Sequence, residues 1–180
     1  MLTFLPALFL LAAASTPPAA SAKLPIVVDG KLASVVLLRA QRVAPEDLKT
    51  CCPGAAAGLK LVFLFRPIDA PVDVTLSPQV ETLIDRQPYL SNASGEPGPR
   101  PKLEVRDVEP LLQQFPDLAA QAPKDFKAHL GLIVTIPGDA LPEAGQVHFA
   151  MKLGYRKTLE PFAFDFALPR EERRPLASNP

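Results

Sequence analysis

The sequence predicts an all-β domain of antiparallel strands, and three observations carry that expectation. First, apolar residues alternate through the C-terminal third: Leu130, Leu132, Val134 and Ile136, then Val147, Phe149, Met151, Leu153 and Tyr155, then Phe162, Phe164, Phe166 and Leu168. Successive side chains of a strand point to opposite faces, so a period of two marks half-buried strands. Second, turn chemistry separates these runs, at Pro137-Gly138-Asp139, Pro142-Glu143-Ala144-Gly145 and Glu160-Pro161. Third, 22 of the 180 residues are proline, more than twice the usual share of about 5%. They fall mostly between apolar runs, and a residue that fixes φ and lacks an N–H disfavours long helices there.

Taken in order, residues 1–22 read as a secretory signal. The apolar run Met-Leu-Thr-Phe-Leu-Pro-Ala-Leu-Phe-Leu-Leu-Ala-Ala-Ala has no charged side chain before Lys23, and it is shorter than the roughly 20 residues a bilayer span needs. Pro17-Pro18 and the small residues Ala20-Ser21-Ala22 follow it, as a cleavage site requires. Residues 23–168 are then one domain and residues 169–180 a disordered polar tail. The run 24–28 ends at the turn dipeptide Asp29-Gly30. Val35-Val36-Leu37-Leu38 has no polar interruption and suits a strand covered on both faces, although its periodicity alone also allows a helix. Pro45 can open a helical turn, and Cys51-Cys52-Pro53-Gly54 reads as loop.

Leu59, Leu61, Phe63 and Phe65 alternate with Lys60, Val62, Leu64 and Arg66, a strand stopped by Pro67. Val72, Val74 and Leu76 predict another, and residues 80–86 a shorter one. Residues 89–101 have the composition of a surface loop; the glycosylation-type triplet Asn92-Ala93-Ser94 inside it is short enough for chance to account for it. Residues 103–105 suit a short strand. Val108, Leu111, Leu112, Phe115 and Ala119 follow helical spacing, and Pro116 must break that helix because it blocks the bond back to Leu112.

The last two runs also predict a register. With the turn placed at residues 156–161, Tyr155 faces Phe162, Leu153 faces Phe164, Met151 faces Phe166 and Phe149 faces Leu168. A slip of one residue would set apolar against polar side chains. The connection from Ile136 to Val147 suits either a wide hairpin or an arch to a second sheet. Roughly seven to nine short strands with this punctuation resemble an immunoglobulin-like antiparallel β-sandwich with a short inserted helix. The absence of Trp departs from a true antibody-type domain.

Candidates for chemistry are few. Cys51 and Cys52 are the only cysteines, and adjacent Cα atoms lie about 3.8 Å apart against the roughly 4.4–6.8 Å of ordinary disulfides. They are candidate redox or cross-linking residues: a strained disulfide bond with each other, a bond to a partner chain, or a soft-metal site for Cu(I). Beside these stands a loop pair without a role. His129 and His148 fall on non-core faces; paired in one sheet they would sit about 20 Å apart and could not share a metal. Gly-x-Ser-x-Gly, Ser-x-x-Lys and phosphate-cradling glycine patterns are missing from the chain. Nineteen basic residues balance nineteen acidic ones, so no net field favours nucleic acid. Lys152, Tyr155, Arg156 and Lys157 form the densest basic and aromatic cluster, a candidate interaction surface.

The expected function is therefore that of a secreted or periplasmic protein without catalysis, cofactor or resident metal. It would act as a protein-interaction or scaffolding module of the cell envelope, with another envelope or extracellular protein as partner and no membrane segment after signal removal. The alternative is thiol-dependent copper handling or redox chemistry at Cys51 and Cys52.

Overall fold

The period-two runs become ten strands in a computed structural model that describes residues 23–68, 75–76, 80–89, 101–138, 140–155 and 158–170. The expected signal at 1–22, the triplet at 92–94 and the tail from 171 lie outside the described residues. The strands are β1 (Ile26–Asp29), β2 (Ala33–Val43), β3 (Ala57–Pro67), β4 (Thr75–Leu76), β5 (Glu81–Ile84), β6 (Gln87–Pro88), β7 (Lys102–Asp107), β8 (Leu130–Gly138), β9 (Gln146–Tyr155) and β10 (Thr158–Ala167). Three short helices interrupt them: α1 (Pro45–Leu48), α2 (Val108–Gln114) and α3 (Pro116–Ala119). One sheet has the order β1-β2-β3-β8-β7; the other has β10-β9-β5-β6, with β4 also paired to β9. Every pairing is antiparallel.

Both sheets turn their apolar faces to one core. Leu59, Leu61, Phe63, Val134 and Ile136 from the first meet Phe149, Met151, Phe162, Phe164 and Phe166 from the second. Phe63 is the junction, with ring centroids 5.4 Å from Phe149 and 5.2 Å from Phe164. These distances lie in the range where aromatic pairs attract beyond simple burial.

The first sheet is buried on its other face too. Val36, Leu38, Val62, Leu64 and Ile133 pack under Leu111 and Leu118 of the helical segment, so the uninterrupted apolar run at residues 35–38 has a cover on each side. Leu38 shares the outer layer with Val36 by alternation, and an irregularity between Leu37 and Arg39 shifts the pairing with β3 so that Arg39 follows it onto that face, where it reaches the ring of Phe115 and the carboxylate of Asp117. The helix breaks where proline requires: Phe115 ends α2 and Pro116 occupies the first turn of α3. Restarting there changes the phase, so Leu118 is buried and Ala119 is exposed.

The last hairpin corrects the expected register. Phe162 pairs with Met151 rather than Tyr155, Phe164 with Phe149 and Phe166 with Val147. The faces agree with expectation but the pairing moves four residues, because strand structure already begins at Thr158 and Glu160-Pro161 is not the turn. Pro161 is tolerated there because β10 is the outermost strand of its sheet, where a missing N–H removes no ladder bond. The segment after β8 arches to the second sheet, since β8 and β9 belong to different sheets.

Two polar ties join the sheets at opposite ends. The Glu160 carboxylate accepts the backbone N–H groups of Lys31 at 2.5 Å and Leu32 at 2.8 Å, in the turn between β1 and β2. That turn approaches so closely that a Cβ on Gly30 would lie 2.7 Å from the Glu160 carboxyl and the Phe162 ring. At the far end of β2, Arg42 donates through Nε to the Pro169 carbonyl at 2.6 Å and through its guanidinium to the carbonyls of Pro142 and Glu143.

Candidate functional site

The thiols are placed by the end of β2. Pro45 opens α1, and Glu46 and Asp47 in its first turn suit the positive helix end. Its carbonyls are closed off by the backbone N–H groups of Cys51 and Cys52, which both donate to the Leu48 carbonyl at 3.1 and 2.7 Å. Leu48 is fully buried and lies against Gly58, where an added Cβ would meet its methyl groups at 3.0 Å. The chain is thereby folded back so that Cys52 packs with Val43 and Leu48, while Cys51 is half-buried.

Both cysteines are free thiols, and the expected disulfide bond is corrected. Their Sγ atoms are 2.8 Å apart, with the Cys52 thiol donating to Cys51 and the Cys51 thiol pointing at the Leu48 carbonyl at 3.6 Å. Neighbouring residues joined by a trans peptide hold their Cα atoms closer than a relaxed disulfide allows. Burial, followed by the hydrogen bond to Cys51 and the like charge a Cys51 thiolate would carry, pushes the Cys52 thiol up to about 12. Lys102 works weakly in the opposite direction.

Cys51 forms one wall of a cleft of about 130 Å³. Lys60 on β3, Thr135 on β8 and Lys102 on β7 stand in one cross-strand row along its floor. Asp47, Thr50 and Gln114 close its sides, and Glu104 lies next to Lys102. Glu104 takes Arg106 at 2.7 Å and Lys102 at 3.0 Å. Those hydrogen bonds, Arg106 first, hold its carboxyl below the usual range, and the bond to Glu104 raises the Lys102 ammonium. Sequence reasoning singled out the cysteines but not this row. Lys60 and Lys102 become neighbours only through the register of β3 and β7 on β8.

Lys152 lies on β9 opposite Pro161, Arg156 and Lys157 fall outside the described residues, and the Tyr155 side chain does as well. His148 pairs across the hairpin with Asp165, Nδ1 to Oδ1 at 2.8 Å. His129 is exposed and belongs to the approach to β8, in the other sheet, so the spacing expected for one shared sheet does not apply. Among the described residues no three His, Cys, Asp or Glu side chains are grouped to hold a metal ion. Nor is any described helix long and apolar enough to cross a membrane.

A second feature is the outer edge of β10. The Leu168 N–H donates to the Gly145 carbonyl at 2.8 Å, which continues the β10–β9 register by one pair. Hydrogen-bonded and open pairs alternate along an antiparallel ladder, so Phe166, Phe164, Phe162 and Glu160 also bond inward. The backbone groups of Leu159, Ala163, Asp165 and Ala167 then point away from the sheet, and Pro161 offers a carbonyl only. Compared with known protein families, curated proteins and solved structures, the chain matches none of them.

Proposed function

We propose that this protein is a non-catalytic, exported interaction module of the cell envelope that takes a segment of another envelope or extracellular protein as an added strand along β10. The observation that carries this reading is the outward row of backbone donors and acceptors at Ala163, Asp165 and Ala167, on the terminal strand of its sheet. An extended peptide gains main-chain hydrogen bonds at such an edge and specificity from alternate side chains. Export rests on the character of residues 1–22. The strand order supports an immunoglobulin-like sandwich as the scaffold. β2-β3-β8-β7 facing β10-β9-β5 follows the A-B-E-D and G-F-C arrangement of that fold, with β1 added at one edge.

The test uses a photo-crosslinking residue placed at Ala167, on the edge, or at Ala150, on the open face of the same sheet. In producing cells Ala167 should yield one stoichiometric protein adduct and Ala150 none. Ala163→Pro should abolish the adduct while leaving the fold intact, because it removes an outward N–H as native Pro161 does. Equal cross-linking from both positions, or no stoichiometric adduct, contradicts the reading.

A further inference from the structure

We infer that Cys51 and Cys52 form a two-sulfur chelating site for trivalent arsenic, taken up as arsenous acid from the adjoining cleft. This inference stands apart from the strand-addition reading and shares no residue with it.

Spacing is the first ground. The two Sγ atoms converge to 2.8 Å. A centre bonded to both sulfurs at roughly 2.3 Å, taking zinc–thiolate bonds as the scale, needs them about 3.3–3.8 Å apart if its angle is bent to roughly 90–110°. A linear two-coordinate ion such as Cu(I) would need them about 4.6 Å apart on the same scale. The bent geometry is the nearer one.

The donor inventory is the second ground. No third His, Cys, Asp or Glu is grouped with the thiols among the described residues, so a tetrahedral metal lacks ligands. Trivalent arsenic takes two sulfurs and keeps a hydroxyl as its own third ligand. That hydroxyl would face a polar cleft of about 130 Å³, lined by Thr50, Lys60, Lys102 and Gln114 together with the carboxylates of Asp47 and Glu104.

Proton balance points the same way. A metal ion binds thiolates and must displace both protons, which here would break the hydrogen bonds from the Cys52 thiol to Cys51 and from the Cys51 thiol to the Leu48 carbonyl. Condensation with arsenous acid is proton-neutral. Two S–H and two As–OH bonds break, two As–S bonds form, two waters leave, and arsenic remains in its +3 state throughout.

The probe is arsenite, titrated against the full chain and read by native intact mass. The wild type should take up one arsenic per chain with loss of two waters. Its half-saturation should come at an arsenite concentration at least tenfold below that of Cys51→Ser or Cys52→Ser, each left with one sulfur. Bound arsenic should also slow alkylation of half-buried Cys51. Cys51→Ser keeps the buried Cys52, so it answers the question even if Cys52→Ser fails to fold. An absence of adduct in the wild type, or equal half-saturation in Cys51→Ser, overturns the inference.

Discussion

Cys52 illustrates how one side chain's surroundings set its chemistry. At 4% exposure it packs against Val43 and Leu48, and its S–H donates a hydrogen bond to the Cys51 sulfur. Both effects favour the neutral thiol, which raises its pKa from 9.0 to about 12. The folded state therefore holds this proton more tightly than the unfolded chain does. The resulting stability is fully present below about pH 9 and is lost as the pH rises from there through about 12. Urea midpoints measured from pH 7 to 11 should accordingly fall more steeply above pH 9 in the wild type than in Cys52→Ala. Parallel curves would show that the thiol titrates alike in both states. At this scale the sequence was partly legible. Two adjacent cysteines are visible at once, whereas their burial depends on Leu48 reaching Gly58 across the chain.

At the scale of elements, α2 seats itself on the first sheet through a glycine. A Cβ on Gly131 would lie 2.8 Å from one methyl of Leu111 and 3.2 Å from the other. Leu111 is fully buried in the outer layer, so it has little room to retreat. Gly131→Ala should thus destabilise the protein by about 1–3 kcal/mol, the usual cost of overfilling a packed site. In a Leu111→Ala background the same change should cost much less, since the obstructing methyls are gone. Denaturation of the two single variants and the double variant measures that coupling; strict additivity would deny the contact. The helix and its break at Pro116 could be read from spacing and proline sterics alone. The preference for Leu118 over Ala119 could not, because the restart resets the helical phase.

Over the whole molecule, the two sheets meet through a shared aromatic core and are tied at both ends by polar side chains. Arg42 is the more consequential tie. Its guanidinium serves three backbone carbonyls, on Pro142, Glu143 and Pro169, and so links the end of β2 to the arch between sheets and to the exit of β10. Arg42→Ala should cost about 1–3 kcal/mol, in line with hydrogen bonds made by a charged donor. Arg42→Lys should recover only part of this, because an ammonium cannot reproduce the fork of donors. Thermal or chemical unfolding of the two variants checks the order. The sequence marks Arg42 only as a second charge beyond the apolar run 35–38; its carbonyl partners lie 100 or more residues away.

What the sequence determined by itself was the identity of the long strands and, within their regular runs, the face each residue turns inward. Alternation, proline placement and turn dipeptides act within a few residues, and Phe162, Phe164 and Phe166 could face only one way once the strand formed. What only the tertiary structure decided was which strands became neighbours and how far each slid along the next. A period of two is satisfied by any even displacement, so the four-residue difference in the last hairpin was invisible to it. The same is true of the row that brings Lys60 and Lys102 to the thiol cleft. Such rows exist only after the core has packed, because side-chain volume across two sheets selects one displacement among several of equal local quality.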